Sequence, residues 1–443
     1  MRGAVAGLAL ATLGVLAAGG AAAAKTVTVP ITFDGEVPVR CAVEPLGTCH
    51  NRWHPDIPAV AEADPGDTVV FQTRDAFDNQ FSRGSSASDV MAANLNLVHP
   101  LTGPVHVRGA RAGDVLAVRV EDIAPGPDRF GYTVIVPGFG FLRDVFPDPF
   151  IVRWDLDRGG EGGFVARSRD MPGVGIPIGA FAGTIGVALG PSQTEAAFQR
   201  EADLAAAGGF VLQPQDGGAA FDAVPQEVCG PDRPAASRCL RTVPPRENGG
   251  NMDVKQMVKG TTLLFPCFVD GCLLSVGDVH FAQGDGEVSG TAIEMNAVVT
   301  VKLQIRRGQA AHVPRPQIEG TRKPGILKRL EPDRFLATTG MPLKPAGEAN
   351  PQLDYLNSTL VTGLANLSED VTVAARDALL HMIDLLTGPN SPAPVSLSRE
   401  QAYVLSSVAV DLRISNLVDT PNFVVTAFLP LDVFERTRRR ARD

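Results

Sequence analysis

The densest group of polar residues that could perform chemistry lies between Gly277 and Glu287. It contains Asp278 and His280, which stand two positions apart in a segment that alternates like a strand. Side chains two apart on a strand share a face, so this carboxylate and this imidazole can hold one divalent cation together. The glycines of the segment permit tight turns that would bring Asp285 and Glu287 back toward the pair.

Glu294 adds another carboxylate on the strand that follows. Residue types alone leave two interpretations of this group open. A stretch rich in glycine and aspartate is usually a solvated loop, and an Asp-x-His pair is often only a salt bridge. The other interpretation is a functional site, because titratable groups that perturb one another gather at such sites.

A second polar group surrounds His50 and His54. Two histidines four apart occur as helical zinc ligands in metalloproteases, but here Pro55 follows at once and no glutamate follows the first histidine. Residues 50 and 54 still share a face of an extended chain, so His50 is a candidate metal ligand. A structural hydrogen bond explains His54 at least as well.

Weaker candidates lie at the ends of other predicted strands. Asn251 and Asp253 follow an Asn-Gly-Gly loop whose backbone can approach a substrate closely, and Gln80 ends a strand. His99 begins a shaped turn, which we interpret as architecture. The sequence has no Gly-x-Ser-x-Gly elbow, P-loop or dinucleotide fingerprint. Cys267 could be a nucleophile, but its expected disulfide argues against that role.

Composition excludes several classes of partner. The 443 residues are 44% hydrophobic and 20% charged, an ordinary globular balance, and the length predicts at least two packed units. The formal net charge of -9 gives no attraction to nucleic acid or to an anionic membrane. We therefore expect neither as a partner.

The first 24 residues have the pattern of a signal peptide: Arg2, an apolar run from Ala4 to Leu16, and small residues at Ala22 to Ala24. We expect cleavage and export to the periplasm or the medium, with a membrane anchor as the alternative. No later segment is long and apolar enough to span a bilayer.

The cysteines fall into three close pairs, and short loops close most easily in an oxidising compartment. We therefore predict the disulfides Cys41–Cys49, Cys229–Cys239 and Cys267–Cys272. A zinc cluster is the alternative, but no Cys-x-x-Cys pair is present.

Alternating apolar residues predict mainly β structure with inserted helices. Two such runs are Leu116 to Val120 and Val299 to Ile305, whereas the Gly- and Pro-rich segment 136–190 is predicted to loop across the surface. Capping patterns predict three helices, which begin after Ser192 with Glu195, after Ser368, and after Ser398 with Gln401.

The fold class is therefore mainly β with inserted helices (α+β): a sandwich- or jelly-roll-like β domain and a smaller α+β portion. We place an N-terminal β-rich domain at 25–190, a helix and irregular insert at 191–247, and a C-terminal β-rich catalytic portion with two helices at 248–443.

The sequence resembles the acetamidase/formamidase family along nearly its whole mature length. The blocks that carry the resemblance lie in family order at His50–Asp67, His99–Asp114, Asn248–Glu294 and Val418–Phe434. The resemblance implies a β-rich amidohydrolase that splits formamide, acetamide or a related small amide into carboxylate and ammonia. It also implies a divalent metal, with zinc foremost and calcium as the alternative, and a homo-oligomer.

The site residues that the resemblance implies are all present in this chain: His50, Asn251, Asp253, Asp278, His280, Asp285, Glu287 and Glu294. We expect Asp278 and His280 to hold the metal, with Asp253 or His50 completing the set. Glu287 is the expected general base, with Asp285 and Glu294 as further catalytic candidates. Asn251 and Gln80 are expected to orient the amide.

One departure leaves the substrate open. Segment 176–181 lacks the His-Pro-Gly that formamidase-type members show there, and the small apolar stretch 176–189 could line a site for a cyclic or bulkier amide. A hydrolase of such an amide, a lactam for example, is therefore one alternative. A periplasmic binding protein without turnover on the same scaffold is the other.

Overall fold

The computed structural model describes residues 24–159, 163–208, 211–320, 334–341, 370–417 and 424–434. Strands dominate these residues and a few helices are inserted among them, which confirms the predicted mainly β class. Residues 1–23 of the predicted signal peptide lie outside the described residues. None of the described helices is long and apolar enough to cross a bilayer.

Short strands joined by tight turns make up the first part of the chain. They are β1 (Thr26–Val29), β2 (Phe33–Asp34), β3 (Val37–Pro38), β4 (Cys49–His50), β5 (Arg52–Trp53), β6 (Ala61–Ala63), β7 (Thr68–Thr73), β8 (Leu101–Val107), β9 (Val115–Pro125), β10 (Phe130–Ile135), β11 (Phe150–Arg158), β12 (Phe164–Ser168), β13 (Gly175–Pro177) and β14 (Phe181–Gly186).

The remaining strands are separated by helices and by the gaps between described residues. They are β15 (Leu240–Arg241), β16 (Gly249–Asn251), β17 (Thr262–Pro266), β18 (Leu274–His280), β19 (Glu294–Met295), β20 (Ala297–Arg306), β21 (Gln317–Glu319), β22 (Phe335–Gly340), β23 (Asp411–Asn416) and β24 (Val424–Pro430). The α-helices of the described residues are α1 (Ala87–Ala92), α2 (Pro191–Ala206), α3 (Gln226–Cys229), α4 (Val371–Thr387) and α5 (Arg399–Ala409).

Two large sheets organise the described strands. The six-stranded sheet has the order β1-β7-β20-β9-β17-β21. Its long strands β9 and β20 pair antiparallel, and both alternate buried apolar residues with more exposed ones, as predicted. The eleven-stranded sheet follows β13-β12-β11-β10-β19-β18-β14-β16, with β8 pairing to β18, β4 and β6.

Both large sheets share one core. A continuous cluster of buried apolar side chains includes Phe71 and Val301 from the first sheet and Trp154 and Val276 from the second. Sheets that pack face to face in this way form a sandwich. Leu379 of α4 belongs to the same cluster, and α4 also packs on the small sheet β22-β24-β23.

Strands from both predicted β-rich domains lie in the same sheets. Strand β7 of segment 25–190 pairs with β20 of segment 248–443, and β18 lies between β14 and β19. The two segments therefore build a common core. The predicted boundaries of the N-terminal domain, the insert and the C-terminal portion remain predictions.

The prediction of surface loops over 136–190 was wrong for much of that segment. It contains β11 to β14, and β11 alternates buried Val152, Trp154 and Leu156 with charged neighbours. Glycine and proline separate these strands but do not prevent them, because they fall mostly between the alternating runs.

The predicted helices exist, but two of the three caps differ. Helix α2 begins at Pro191 after Gly190 without a side-chain cap, and Glu195 pairs with Arg238 instead. Asp370 caps α4 by accepting from the Thr372 amide, whereas Ser368 lies outside the described residues. The capping box of Ser398 and Gln401 on α5 is confirmed.

All three predicted disulfides are present: Cys41–Cys49, Cys229–Cys239 and Cys267–Cys272. The structure contains no free cysteine among the described residues. These bonds are compatible with a protein that works in an oxidising compartment.

Candidate active site

The candidate site lies at the end of β18, inside the larger sheet. Asp278 and His280 are 2% and 1% exposed, and Asp278 Oδ1 is 3.2 Å from His280 Nε2. Strand β19 pairs with β18 so that Glu294 stands opposite His280. The sheet register therefore fixes three of the predicted site residues relative to one another.

Four carboxylates surround the Nε2 atom of His280. Besides Asp278, Glu294 Oε2 lies at 3.4 Å, Glu287 Oε1 at 3.8 Å and Asp253 Oδ1 at 4.0 Å. Two overlapping sets of three possible ligand atoms each lie within 4.8 Å of one another. One set is Asp253, Asp278 and His280, and the other is His280, Glu287 and Glu294.

Three of these carboxylates occupy unusual backbone conformations. Asp253, Asp278 and Glu287 have φ angles of 50°, 50° and 43°. This left-handed region is costly for residues other than glycine, and such strain gathers at functional sites. The surrounding packing therefore holds the three side chains in directions that relaxed strands or turns would not give them.

Gln283 orients the imidazole of His280. Its Oε1 lies 2.8 Å from His280 Nδ1, and its Nε2 donates to the backbone carbonyl of Asp253 at 2.8 Å. A carbonyl oxygen can only accept, so Nδ1 carries a proton, and Nε2 faces the carboxylates, where it can hold either a second proton or a cation. Such an outer hydrogen bond typically fixes a metal-binding histidine.

A buried ion pair ties the two site loops together. Lys255 follows Asp253 by two residues and pairs with Asp411 of β23. Asp411 Oδ1 also accepts from the backbone amide of Asp285 at 3.2 Å, so it anchors the loop that carries Glu287. The Asp285 carboxylate faces Lys255 at 3.8 Å and does not join the cluster around His280.

Burial and mutual repulsion set the charges of the cluster. Burial raises the pKa of Asp253 and Glu294 well above the usual value and that of Glu287 to about 8. Burial would also raise the pKa of Asp278, but His99 and His280 hold it below its usual value. Although burial lowers the pKa of His280, Glu294 and Asp278 raise it well above its usual value.

The cluster fits a divalent cation. Asp253 Oδ1 and Glu294 Oε2 are buried, and no donor among the described residues satisfies either atom. Gly183 leaves room in front of them, since a Cβ there would lie 2.6 Å from His280 Cε1 and 2.7 Å from Asp253 Oδ1. One imidazole nitrogen with several carboxylate oxygens is a donor set suited to zinc and related metals.

His50, by contrast, is not brought into this cluster. Its Nδ1 lies 2.7 Å from the carbonyl of Arg52 and its Nε2 lies 2.8 Å from Ser275 Oγ. Both ring nitrogens are therefore engaged, and burial lowers the pKa of His50 to about 4, which keeps the ring neutral. The structure therefore does not bring His50, the expected metal ligand, into the group around His280, because both of its ring nitrogens have other partners.

Gln80 is also directed elsewhere. Its side-chain amide exchanges hydrogen bonds with the backbone of Asn94, at 2.7 Å and 3.1 Å. It therefore fastens a loop, and it does not line the cavity described next.

A small cavity of about 90 Å³ opens beside the cluster. Asn251, Asp278, Glu287 and Glu294 line its polar side, whereas apolar side chains such as Phe77 line the rest. The Thr184 hydroxyl bridges two of the polar residues, lying 2.8 Å from Asn251 Oδ1 and 2.9 Å from Asp278 Oδ2. Asn251, predicted to orient the amide, therefore lies at the wall of this cavity.

His99, which sequence reasoning interpreted as architecture, also lines this cavity. Its Nδ1 is 3.9 Å from Asp278 Oδ2 and has no hydrogen-bond partner among the described residues. The available signal was its position at the start of one of the blocks that carry the family resemblance. We interpret His99 as a further polar group facing a ligand.

Comparison with known proteins agrees with this geometry. The model of the acetamidase/formamidase family matches residues 39–436. The chain belongs to this family. It is therefore a hydrolase that acts on carbon–nitrogen bonds other than peptide bonds.

Individual family members are similar over most of the chain. A formamidase of Methylophilus methylotrophus is 31% identical over 417 residues, which cover 88% of this chain and 90% of that one. An acetamidase of Mycolicibacterium smegmatis is 37% identical over 280 residues, covering 58% and 66%. The solved structure of a gamma lactamase from Delftia acidovorans has a TM-score of 0.76 and 32% identity, covering 93% and 94%.

The position of Gly183 predicts a sensitive substitution. Gly183→Ala should lower amide turnover at least about tenfold, because its methyl group would occupy the space between His280 and Asp253. Gly179→Ala is the matched control, since a Cβ at Gly179 meets nothing within 4 Å. Turnover and thermal unfolding of both variants are measured. Full activity of Gly183→Ala would show that the reaction takes place elsewhere.

The environment of His50 predicts a pH effect on stability. Its pKa of about 4 in the native state lies below the ordinary 6.5, so between these values the unfolded chain binds a proton that the native chain does not. Stability should fall by about 2 kcal/mol between pH 7.5 and 5 on this account. Urea unfolding of wild type and His50→Gln at both pH values isolates the effect. Equal pH dependence in the two proteins would contradict it.

Proposed function

We propose that this hydrolase cleaves a short-chain linear amide of the formamide or acetamide kind, yielding a carboxylate and ammonia with the help of a divalent cation. The observation that carries the proposal is the ring of carboxylates around His280 Nε2, which opens onto a small cavity lined by Asn251.

The size of the cavity supports a small substrate. Pockets for drug-sized ligands typically measure about 300–1,000 Å³, whereas this one measures about 90 Å³. An amide of a few heavy atoms fits such a space. The related enzymes named formamidase and acetamidase agree with that choice. The gamma lactamase neighbour makes a small cyclic amide the second candidate.

His280, Asp253 and Asp278 are the residues that would hold the cation. Zinc suits one imidazole with carboxylates, whereas calcium prefers six to eight oxygen ligands, so zinc is the first choice. When bound, such a cation supplies Lewis acidity that activates water and polarises the amide carbonyl. The left-handed backbone of Asp253 and Asp278 and the hydrogen bond from His280 to Gln283 would keep the ligands aligned without the substrate.

Glu287 is placed to carry the proton. Its side chain is 18% exposed, lines the cavity and lies 3.8 Å from His280 Nε2. It can take a proton from the attacking water and return it to the leaving nitrogen. Glu294 also lies at the cavity wall, and its carboxylate would balance the positive charge of the cation. Among the described residues, the Asn251 side chain has a hydrogen-bond partner only at Oδ1. Its Nδ2 group can therefore donate to the amide oxygen.

Export to the periplasm or the medium is part of the proposal. The disulfides and the signal-peptide pattern of residues 1–24 support it. We expect the small amide as the partner in solution and a homo-oligomer as the working form.

Ammonia release from a panel of amides tests the function. The panel is formamide, acetamide, propionamide and γ-butyrolactam, assayed with protein purified without chelator, after EDTA, and after metal addition. We expect release from the smallest linear amides, loss with EDTA and recovery with zinc. Release that EDTA leaves unchanged would retain the amidase and reject the cation. No release from any member, with metal bound, would favour the binding-protein alternative.

Glu287→Gln tests the proton carrier. Turnover should fall about a hundredfold or more while bound metal is unchanged, because a carboxylate that transfers protons is lost and its shape is kept. Metal content by mass spectrometry accompanies the assay. Glu62→Gln is the control, since Glu62 is 55% exposed and pairs with Arg108. Loss of metal in Glu287→Gln would make Glu287 a ligand instead.

A further inference from the structure

A second cavity is lined in part by residues that adjoin, in sequence, those of the candidate site. It measures about 340 Å³ and is lined by the polar residues Asp75, Asp128, Tyr132 and Asn296. None of these residues has a role in the mechanism proposed above. Their arrangement leaves two buried carboxylates without a full set of partners.

Asp75 uses only one of its two carboxylate oxygens. Oδ1 accepts from the Tyr132 hydroxyl at 2.7 Å and from the backbone amides of Phe77 and Asn79 at 2.8 Å and 3.2 Å. No donor within the described part of the chain reaches Oδ2, although Asp75 is 3% exposed. The Asp75 carboxylate can therefore accept further hydrogen bonds through Oδ2.

Asp128 presents a similar deficit. Its Oδ2 accepts from the Asn296 amide at 2.9 Å, but its buried Oδ1 has no partner among the described residues. Burial raises the pKa of both carboxyls, to about 6 for Asp128. Arg83 lines the cavity, but its guanidinium donates to the backbone carbonyls of Asp128 and Arg129 and to Asp155. It therefore leaves both carboxylate groups without a direct cationic partner.

Aromatic rings complete the cavity wall. Phe81 and Phe130 lie with ring centroids 4.9 Å and 6.1 Å from that of Tyr132, and all three line the space. Ring faces attract ammonium-type cations, whereas a hard divalent cation needs a shell of oxygen atoms. The combination of unsatisfied carboxylate oxygens and aromatic faces therefore favours a monovalent cation that carries N–H donors.

Residues that are neighbours in sequence line the two cavities. Ala76 and Phe77 line the first cavity, and Asp75, which precedes them, lines the second. Glu294 likewise faces the first cavity, while Asn296, two positions later, faces the second. A product formed beside Glu294 thus lies next to the second cavity.

We propose that the second cavity binds the ammonium ion that amide hydrolysis produces, and that it serves as the ion's station between the reaction site and solvent. This inference rests on the proposed function. The unpaired oxygens of Asp75 and Asp128 accept N–H bonds from the ion. The rings of Phe81 and Tyr132 cover its remaining side, since the Phe130 ring already carries the Arg83 guanidinium at 5.3 Å. At 340 Å³ the cavity also has room for accompanying waters or for methylammonium.

Titration of the metal-loaded enzyme with ¹⁵N-labelled ammonium chloride tests the site directly, through saturable broadening of the ammonium resonance. Asp128→Asn should weaken binding at least about tenfold, because a charge-assisted bond is lost while the acceptor for Asn296 is kept. Asp155→Asn is the matched control: it contacts the same Arg83 but does not line the cavity, and its affinity should stay within about twofold of wild type.

Competition on the wild type provides a measurement that needs no variant. Methylammonium should displace ammonium, whereas potassium at equal concentration should not, because it has no N–H donors. Absence of saturable broadening, equal affinity in Asp128→Asn, or displacement by potassium would each overturn the proposal. Because binding is measured without turnover, ammonium binding without amide hydrolysis would reject only the proposed function. Hydrolysis without this binding would reject only the ammonium site.

Discussion

The site is built around the burial of like charges. Four carboxylates approach one imidazole nitrogen in a largely buried part of the larger sheet, where water screens them only weakly. Such a group is costly unless positive charge balances it, and the protonated or metal-bound state of His280 provides that balance. The surrounding features can be understood as means of holding this unfavourable arrangement in place: left-handed backbone at three acidic residues, a glycine in front of the ring, and Gln283 behind it.

Two kinds of support hold the arrangement. The pairing of β18 with β19 sets His280 opposite Glu294, and hydrogen bonds between main-chain atoms make that spacing rigid. Asp253 and Glu287 come from loops, and the buried pair of Lys255 and Asp411 joins those loops through a third element of the chain. Sites need such outer support, because small displacements of charged groups strongly change their interaction energies.

Sequence reasoning located the centre of the site but not its periphery. Asp278 and His280 were accessible to it because strand alternation directly determines which residues share a face. Glu294 reaches the site only because β18 pairs with β19. The family resemblance named it as a site residue, whereas periodicity along one strand could not. His50, Gln80 and Asp285 lie away from the group around His280, where they were expected. Each has a nearer partner in three dimensions: Ser275, the Asn94 backbone and Lys255, respectively. His99 was missed because its neighbour Asp278 is distant in sequence. The cap predictions differed for a local reason: α2 begins at Pro191 without a side-chain cap, and Asp370 caps α4.

The interleaving of β7 with β20 has a consequence for how the chain reaches its native state. Thr73 pairs with Ala297, 224 positions later in the sequence. Such distant pairings slow folding, because a long loop must close before the contacts stabilise it. Neither half of the chain can form the complete sheets alone. A nascent chain must therefore remain unaggregated until its last third emerges. If the gene were split in two, the fragments would have to pair their strands with one another to restore activity, because neither fragment would fold as a finished domain.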